Sequence, residues 1–516
     1  MNVLYNTNIA DPFVRVAKKL QDEHGFNPVY WIGYNYDNSE KTVPEMFPGI
    51  CYQSYTNAWR GVFNNEVEEK ANQCYLDIDF LNEFARYELQ ALKMMDRMDF
   101  DRYSFNYMER IRHYHHLIKC WLAVFEIYKP ELVISAVNPH RVYDYVLYLL
   151  CQKKNIPFII FQYSMCEGWV WSNMNVYSVG DKFKHDFTKY REQGSLTKED
   201  LPKGIRKKYE LITKDYSEAA PNSIKLNIAQ SKGQSNFLKL IPIYLKKYKL
   251  FGKGGILVKG SVPTLMRKRR NRSLENGENG IFESICQKLK QFSECKKMKN
   301  FYSSLSTDPD YNNKYILLPL HYQPEATSSP AGDIFVDQSL CVETLLKNTP
   351  DDYMIYVKEH NTQFMPQLLG QTNRIKEFYT DLLKNRRVKF MPLNIDTYTL
   401  MQNAKAVATV AGTVGWEAIM HKIPVIIFGF VWYEKMPGVL RVIDSASANK
   451  IMDFINSYSF DEQNVLAYLK AFADNAFLAY HYKGRKDITN IDEETCVTNL
   501  ANEIVKCVRV WMSKKA

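Results

Sequence analysis

The chain has 516 residues, a formal net charge of +10 and 46% hydrophobic residues. This length exceeds what one core usually supports, so we expect two domains, and the apolar content suffices for globular cores. No run of about 18 apolar residues and no basic N-terminal segment followed by an apolar one occurs, which predicts neither a spanning helix nor a secretory signal. The ten cysteines form no CxxC pair. The sequence therefore predicts a reduced, cytoplasmic protein without disulfides.

The first part of the chain alternates strand and helix patterns. A long, aromatic-rich region at 66–128 has a helical pattern throughout. The other predicted elements are strands at 3–5, 28–32, 131–136 and 156–161 and helices at 12–24 and 141–154. A strand–helix–strand unit implies parallel pairing, so this part predicts a parallel sheet.

The positive charge is concentrated between Ala219 and Leu274, which contain thirteen Lys or Arg and no Asp or Glu. Without this segment the net charge is 10 − 13 = −3. Anionic lipid headgroups attract such segments, and the apolar run 237–245 fits an interfacial helix. We therefore predict contact with an anionic membrane surface. The alternative is a solvated basic linker. Nucleic acid is not a predicted partner, because no nucleic-acid-binding signature accompanies the charge.

The second part repeats the alternation and ends in an amphipathic helix. Its predicted strands are 315–319, 353–357, 388–390, 406–410 and 424–428, and its predicted helices are 281–299, 337–347, 396–403, 415–421 and 493–513. The predicted domains are an N-terminal domain at 1–216, a basic linker and helical insertion at 217–300, a C-terminal domain at 301–488 and a crossing helix at 489–516. This predicts an α/β fold of the GT-B plan, with two Rossmann-like domains whose parallel sheets face a central cleft. The final helix crosses back to the first domain.

Four polar motifs follow predicted strands of the second part. They are His321–Glu325, Lys358–His360, Ala411–Glu417 and Trp432–Gly438. Loops at the carboxyl ends of parallel strands share one edge of a sheet, where ligands bind. The motifs are therefore expected to converge on one site, which favours an enzyme.

The segment Gly412, Thr413, Val414 and Gly415 predicts a phosphate or diphosphate site, because its amides precede a helix N-terminus. Glu417, in the first turn of that helix, is predicted to accept two ribose hydroxyls. The alternatives are an ordinary strand–helix turn and a favourable charge at a helix N-terminus. The loop is neither a Walker loop nor GxGxxG, which disfavours ATP and NAD.

Lys358, His360 and Glu325 are predicted to act on the nucleotide and the reacting sugar. His360 can donate to a phosphate oxygen, and Lys358, two residues earlier in a strand, shares its side. Pro324 stiffens the loop that carries Glu325. A carboxylate held there suits a base, an acid or a nucleophile, and the alternative is a salt-bridged loop carboxylate.

Six further residues are predicted to contact the donor or the acceptor. They are His321, Gln323, Trp432, Tyr433, Asn138 and His140. For the two aromatic residues the alternative is packing of their loop. His113, His115 and His116 are predicted to form a polar helix face without a metal, because no Cys, Asp or Glu at ligand spacing completes a site.

The segments that carry these motifs resemble the capsule polysaccharide biosynthesis family. They read LPLHYQPEATSSPAGDIFVDQ, YVKEH, VATVAGTVGWEAIMHKIPVIIFG and WYEKMPGV. Members of this family look like GT-B glycosyltransferases of bacterial surface glycans, including transferases of 3-deoxy-manno-octulosonic acid (Kdo) and related ulosonic acids. Gln323-Pro324-Glu325 matches the family's Gln-Pro-Glu motif. His360 matches the histidine of its His-Pro motif, but Asn361 replaces the proline.

The resemblance implies a donor activated by cytidine monophosphate (CMP), held by His360, the 411–415 loop and Glu417, with no metal and no cofactor. The expected reaction moves an ulosonic acid of the Kdo, pseudaminic or sialic type onto a capsule or lipopolysaccharide acceptor. The protein is expected to be located at the inner face of the cytoplasmic membrane. Two alternatives stay open: a UDP-sugar transferase or 2-epimerase of the same fold, and a non-catalytic, membrane-associated assembly factor.

Overall fold

The computed structural model describes residues 1–7, 11–34, 38–99, 102, 105–163, 166, 168–214, 281–366, 368, 370–481, 486–489 and 491–515. The basic segment 219–274, with its predicted membrane contact, lies outside the described residues.

The strands lie close to the predicted positions in both halves of the chain. In chain order they are β1 Asn2–Asn6, β2 Asn27–Gly33, β3 Cys51–Ser54, β4 Leu132–Ser135, β5 Phe158–Tyr163, β6 Trp169–Asn173, β7 Lys314–Pro319, β8 Tyr353–Lys358, β9 Val388–Phe390, β10 Ala406–Thr409, β11 Val425–Ile427, β12 Val439–Arg441 and β13 Ala476–Leu478. The sequence patterns missed β3, β12 and β13, which lie at sheet edges, and β6, which lies next to an edge.

The first sheet has the strand order β13-β6-β5-β4-β1-β2-β3. Strands β1 to β5 pair in parallel, as predicted, whereas β6 and β13 pair antiparallel at one edge. The prediction of a purely parallel sheet is therefore wrong at that edge.

Helices cover both faces of the first sheet. They are Phe13–His24, Ser39–Met46, Tyr55–Arg60, Asn65–Asn72, Ile78–Ala85, Glu88–Met94, Tyr107–Tyr128 and Val142–Lys154, with a short 3-10 helix at Met95–Arg97. The helices Asp181–Gln193 and Lys203–Lys214, with a 3-10 helix at Lys198–Asp200, instead pack against the second domain. The region predicted as helical at 66–128 thus divides into several helices. Asn106 starts the longest with a capping box, in which its side chain and that of Glu109 bond each other's backbone amides.

The second sheet has the order β12-β11-β10-β7-β8-β9, and all its pairs are parallel. Its strands are apolar along most of their length because helices cover both faces. These helices are Ile281–Leu305, Ser328–Ala331, Ser339–Lys347, Lys376–Leu382, Thr397–Gln402, Thr413–Met420, Ser445–Ala448, Ile451–Ser457 and Glu462–Asn475, with 3-10 helices at Asp333–Val336 and Gly370–Thr372.

The C-terminal part of the chain returns to the first domain, as predicted. After the short helix Lys486–Thr489, the helix Glu493–Lys515 packs on the helix Phe13–His24. Arg15 forms ion pairs with Glu493 and Glu494 there. The return begins earlier than expected, because β13 pairs with β6 of the first sheet. The predicted boundary between 488 and 489 therefore falls too late in the chain.

The α/β class of the GT-B plan, two sheet domains with a returning terminal helix, is confirmed. The helix Ile281–Leu305, predicted as part of an insertion, belongs to the second domain. Its Tyr302 is fully buried and donates to the carbonyl of Met391. Among the described helices, none combines the length and apolar character needed to cross a bilayer.

Candidate functional site

Three of the predicted motifs follow β7, β8 and β10, which are neighbours in the second sheet. The Leu320 amide donates to the carbonyl of Lys358 at 2.8 Å, which continues the β7–β8 pairing up to the motifs themselves. His321, His360 and Ala411 therefore leave the same edge of the sheet side by side. The predicted convergence of the motif loops is present in the structure.

His321 and Glu325 form a directly bonded pair. The Nδ1 atom of His321 lies 2.7 Å from Oε1 of Glu325. Its Nε2 atom accepts the Ala411 amide at 3.1 Å, so the ring proton belongs on Nδ1 and points to the carboxylate. The Ser328 amide also donates to Oε1 of Glu325, at 3.2 Å. His321 thus connects the carboxylate loop to the glycine loop.

The environment keeps Glu325 ionised. Burial works to raise the pKa of this carboxyl, but the neighbouring His321, His360 and the Ser328 amide outweigh burial and hold the pKa below its ordinary value. A carboxylate that is charged at neutral pH can act as a nucleophile, as a base or on developing positive charge. It is poorly suited to donate a proton.

His360 is held by its own loop in one tautomer. Its Nδ1 atom accepts the Thr362 amide at 3.2 Å and lies 2.7 Å from the Thr362 hydroxyl. The ring proton therefore belongs on Nε2, which has no hydrogen-bond partner in the described part of the chain. Burial, with smaller contributions of both signs from nearby charges, lowers the pKa of His360, so the ring is neutral at pH 7. It can donate from Nε2 to a substrate oxygen.

A buried ion pair joins the loops of His321 and His360. Glu359 and Arg374 are 1% and 4% exposed and pair at 2.8 Å. Arg374 also donates to the carbonyl of His321 at 3.1 Å, and Glu359 accepts the His360 amide at 2.9 Å. The Tyr379 hydroxyl completes the coordination of Glu359 at 2.7 Å. The ion pair fixes the two histidines relative to each other. It thereby gives the His360 loop a rigidity that a proline at position 361 would otherwise supply.

Gln323 lies within its loop and Lys358 at the end of β8, and both side chains are buried. Gln323 is 1% exposed; its amide donates to Gln363 at 2.8 Å, and its side chain donates to Ser328. Lys358 donates to Asn361 at 3.2 Å, and burial lowers the pKa of this lysine to about 8. The predicted substrate contact of Gln323 and nucleotide contact of Lys358 stay predictions, and both side chains support the loops that carry Glu325 and His360.

The glycine loop starts a helix earlier than the sequence predicted. The helix begins at Thr413, with Gly412 as its N-cap, so Thr413, Val414 and Gly415 form the first turn. Among described residues, no hydrogen bond reaches the amides of Thr413 and Val414. These amides and the helix dipole offer positive potential to an anion.

Glu417 consequently lies in the second turn of this helix, not in the first, and is 5% exposed. The predicted first-turn position was wrong because the helix starts two residues before the predicted start. The ribose contact of Glu417 stays a prediction.

Tyr433 and Trp432 lie beneath and beside the glycine loop. Tyr433 is 1% exposed, and its hydroxyl donates to the carbonyl of Gly412. Trp432 is half-buried and packs on Trp416 and Phe472, with ring centroids 4.8 and 5.4 Å away. Tyr433 therefore supports the loop from inside the domain, and its predicted donor or acceptor contact remains untested.

A substitution at Gly415 tests whether Tyr433 supports the glycine loop. A Cβ at this position would collide with the Tyr433 hydroxyl and lie 2.9 Å from Cγ1 of Val425. We expect Gly415→Ala to cost about 1–3 kcal/mol of unfolding free energy, as overpacking does. Tyr433→Phe removes the hydroxyl, so the double variant should lose less than the sum of the single variants. Urea unfolding of the four proteins measures this coupling, and additive losses would show that the contact is unimportant.

The first domain contributes Asn138 and His140 after β4. The Nδ1 atom of His140 donates to the carbonyl of Asn138 at 2.7 Å, and the Asn138 side chain accepts from Gln162 at the same distance. Burial, reinforced by Arg141 and Arg97, lowers the pKa of His140 to about 3. His140 is therefore neutral, with Nε2 as an acceptor. Both predicted contacts of these residues stay predictions.

The two domains touch next to the Glu325 loop. Ser329 donates to the side-chain carbonyl of Gln90 at 3.2 Å, and Gln90 donates to the carbonyl of Asp333. Arg102 of the first domain donates to the carbonyls of Thr372 and Arg374 at 2.6 and 2.7 Å. Residues 88–99 of the first domain therefore face the Glu325 loop from the opposite side.

The histidine cluster differs from its prediction. Cys120, one helical turn after His116, and Glu68 of the neighbouring helix lie with His116 in a group whose possible ligand atoms are within 4.8 Å of one another. The expectation that no Cys or Glu accompanies these histidines was therefore wrong. Protein contacts already engage the group, because His116 lies 2.7 Å from the carbonyl of Gly61 and Glu68 accepts the Phe63 amide at 3.0 Å.

His113 should make stability depend on pH. Burial lowers the pKa of His113 to about 3, although the carbonyl of Trp59, 3.0 Å from Nε2, opposes this. Below about pH 6.5 the unfolded chain binds a proton there that the folded protein does not, so stability falls as pH falls. Between pH 7 and pH 5 we expect this histidine to cost about 2 kcal/mol. Urea unfolding at several pH values should show that the unfolding free energy of the wild type falls more steeply with falling pH than that of His113→Gln. The same pH dependence in both proteins would contradict this prediction.

Several site residues were missed by the sequence patterns. They are Arg97, Arg141, Thr362, Gln363, Arg374 and Thr409. Each acts through a partner distant in sequence or on the other domain, so no local spacing identifies it. The exception is Thr362, which could have been found as a hydroxyl two residues after a histidine in a loop.

Comparison with known families agrees with the resemblance inferred from the motifs. Residues 272–481 match the model of a family described as capsule polysaccharide biosynthesis protein. This range contains the loops of Glu325, His360 and Gly412 and also Trp432. No curated protein sequence matches the chain.

Comparison with solved structures gives matches with low TM-scores and low sequence identity. Thermosulfurimonas dismutans KpsC, a beta Kdo 2,7 transferase, is 11% identical with a TM-score of 0.28, over 74% of this chain and 89% of that chain. Methanocaldococcus jannaschii UDP-GlcNAc 2-epimerase is 13% identical with a TM-score of 0.24, over 89% of this chain and 93% of that chain. The beta Kdo 2,4 transferase of T. dismutans KpsC is 15% identical with a TM-score of 0.21, over 36% of this chain and 55% of that chain.

Proposed function

We propose that this chain, whose residues 272–481 match the model of the capsule polysaccharide biosynthesis family, is a glycosyltransferase that uses a CMP-activated ulosonic acid. The acceptor in this proposal is a bacterial surface glycan, a capsule or a lipopolysaccharide. The sugar is of the Kdo, pseudaminic or sialic type. The observation that carries the proposal is the convergence of Glu325, His360 and the N-terminus of the helix Thr413–Met420 at one sheet edge.

The nucleotide end of the site is matched to a single phosphate. His360 offers one neutral donor, Nε2–H, and the first helical turn offers the amides of Thr413 and Val414. A CMP-sugar has one phosphate, whose negative charge grows as the bond to the sugar breaks. Donors fixed in advance stabilise that charge without reorganisation. Binding through dipoles and hydrogen bonds supports a mechanism without a divalent ion.

The sugar end of the site has Glu325 as its central group. The carboxylate is ionised and oriented by His321, which is in turn fixed by the Ala411 amide. In a retaining reaction Glu325 would attack the anomeric carbon, and in an inverting reaction it would take the proton of the acceptor hydroxyl. Its charge state supports either role over that of a proton donor.

The membrane location of this proposal depends on the basic segment 219–274. Its thirteen Lys or Arg would hold the enzyme at an anionic surface, where a lipid-linked acceptor is found. Co-sedimentation of the full chain with vesicles of phosphatidylglycerol and phosphatidylcholine tests this part. Loss of binding is expected when the basic residues of the segment are replaced by Gln, and an unchanged pellet would reject the membrane contact alone.

His360→Ala should weaken nucleotide binding. Loss of one hydrogen bond to a charged phosphate costs about 1.5–3 kcal/mol, so CMP affinity should fall about 10- to 100-fold by calorimetry. Thr362→Val removes the hydroxyl that fixes the ring but leaves Nε2 in place, and we expect a smaller loss. If His360→Ala bound CMP as tightly as the wild type does, His360 would not contact the phosphate.

The direct test of the reaction is CMP release from an ulosonate donor. We expect the full chain to release CMP from CMP-Kdo formed in situ or from CMP-N-acetylneuraminate in the presence of a capsule or lipopolysaccharide acceptor. Turnover of UDP-N-acetylglucosamine instead of either CMP-sugar would replace this proposal with the UDP-sugar transferase or 2-epimerase alternative. An absence of turnover with all of them would leave the assembly-factor alternative.

A further inference from the structure

Two arginines of the first domain carry buried donors without partners. Arg97 ends the 3-10 helix Met95–Arg97, and Arg141 precedes the helix Val142–Lys154. Within the described residues, Nε and Nη2 of Arg97 and Nη1 of Arg141 are buried and have no hydrogen-bond partner. Guanidinium groups in protein interiors are normally paired, because an unpaired buried charge is costly. These donors therefore need an explanation.

The nearest acidic residue on the same domain does not neutralise them. Oδ1 of Asp144 accepts the amides of His140 and Arg141 at 3.0 and 2.7 Å, and its Oδ2 is itself buried without a partner. Burial raises the pKa of Asp144 to about 7, so this carboxyl is only partly ionised at neutral pH. Burial and the charge of Arg141 lower the pKa of Arg97 to about 10, which leaves the Arg97 guanidinium charged at neutral pH.

Arg97 lies on the side of the first domain that faces the Glu325 loop, and Arg141 is close enough to Arg97 for their charges to interact. Arg97 is placed between Gln90, which bonds Ser329 of the Glu325 loop, and Arg102, which bonds Thr372 and Arg374. The charge of Glu325 affects the pKa of Arg97, yet no ion pair joins the two side chains in the described structure. In the proposed function the reacting sugar would sit between Arg97 and Glu325.

Arg141 is held in place by its neighbours. Its guanidinium lies over the rings of Tyr55 and Trp59, 4.8 and 5.6 Å from their centroids. Aromatic faces fix the plane of the fork and leave its edge for an acceptor. A planar, fixed guanidinium is the group that proteins use to bind carboxylate or phosphate in two-pronged fashion.

We propose that Arg97 and Arg141 bind an oxyanion, a carboxylate or a phosphate, of a sugar substrate beside Glu325. The identity of that substrate rests on the proposed function. In an ulosonic acid the carboxylate is bonded to the anomeric carbon itself, so an oxyanion site next to Glu325 would align that carbon with the carboxylate. An acidic or phosphorylated acceptor is the second source of the same chemistry.

The first experiment requires no knowledge of the natural substrate. Thermal unfolding of the full chain is compared in sodium phosphate, sodium acetate and sodium chloride at equal ionic strength. We expect phosphate or acetate to raise the wild-type Tm above its value in chloride by about 2–4 °C, because an anion bound only to the folded state stabilises it. Arg97→Met should lose this increase, and Arg141→Met serves as the second variant.

The matched control is Arg102→Met, which removes an arginine that donates to two carbonyls. This variant should lower the Tm in chloride and keep the anion effect, which is the rise of the Tm in phosphate or acetate above its value in chloride. In chloride, Arg97→Met should leave the Tm unchanged or raise it, because it removes an unpaired buried charge. An anion effect retained in both Arg97→Met and Arg141→Met, or absent from the wild type, would overturn the assignment.

Calorimetry with CMP and CMP-N-acetylneuraminate then separates the two sources. If the donor supplies the oxyanion, the wild type binds the CMP-sugar more tightly than CMP, and Arg97→Met loses that advantage while keeping its CMP affinity. If the acceptor supplies the oxyanion, Arg97→Met still binds the CMP-sugar more tightly than CMP to the same extent as the wild type. The KM of this variant for the acceptor then rises. A wild type that shows the anion effect but binds no CMP would refute the proposed function and leave the oxyanion site standing.

Discussion

Glu325→Gln is expected to abolish transfer while leaving nucleotide binding nearly intact. Glutamine has the shape of glutamate, and its carbonyl oxygen can still accept from His321 and from the Ser328 amide, which both bond Oε1 of Glu325. The variant loses only the negative charge. Loss of a nucleophile or a base lowers kcat by at least about 10²–10⁴-fold. Transfer from the CMP-ulosonate and CMP affinity by calorimetry are the two measurements.

The control for this variant is Glu343→Gln, which removes an exposed carboxylate from the helix Ser339–Lys347. We expect it to behave as the wild type in both measurements. Equal losses of CMP affinity and of transfer in Glu325→Gln would assign this carboxylate a binding or structural role. Full activity would remove it from the reaction altogether.

Arg374→Met is expected to cause the largest loss of stability. The substitution leaves the carboxylate of Glu359, 1% exposed, with only the His360 amide and the Tyr379 hydroxyl as partners. Removing one member of a buried ion pair costs about 3–5 kcal/mol, because the other charge stays buried. The carbonyl of His321 also loses one of its two donors and keeps the Gln338 side chain at 3.2 Å. Urea unfolding should show this loss, and the activity that remains should fall as the two histidine loops separate.

The double variant Glu359→Gln/Arg374→Met separates the ion pair from the shape of the site. It removes the buried charge and should regain part of the lost stability. Lys314→Met is the matched control, because its ion pair with Asp352 is exposed and contributes little. A double variant no more stable than Arg374→Met would show that packing around Arg374 matters more than its charge.

The fold was predictable because hydrophobic patterning is strong in most strands. β7, β8 and β10 are apolar runs bounded by polar loops, and the patterns placed them within about a residue. β6 and β13 were missed because they pair antiparallel at one side of the sheet, and the short β13 has only half-buried side chains. An antiparallel edge formed by residues about 300 positions apart leaves no local signal.

The candidate site was predictable only on the second domain. Glu325, His360 and Gly412 each follow a strand, so topology alone brings them together. The supports of these residues were not visible: Arg374 reaches His321 from 53 positions away. Arg97 and Arg141 are separated from Glu325 by even longer stretches, and their position depends on how the two domains meet. Local spacing therefore predicted the groups that face the substrate and missed the groups that hold them.

Nucleotide binding by the wild-type chain tests the central claim most directly. Calorimetric titration with CMP, CDP, UDP and GDP measures whether the site formed by His360 and the helix at Thr413 is matched to a single phosphate. We predict that CMP binds most tightly and that His360→Ala reduces its affinity about 10- to 100-fold. Tighter binding of UDP than of CMP, or CMP binding that is indifferent to His360, would contradict the claim.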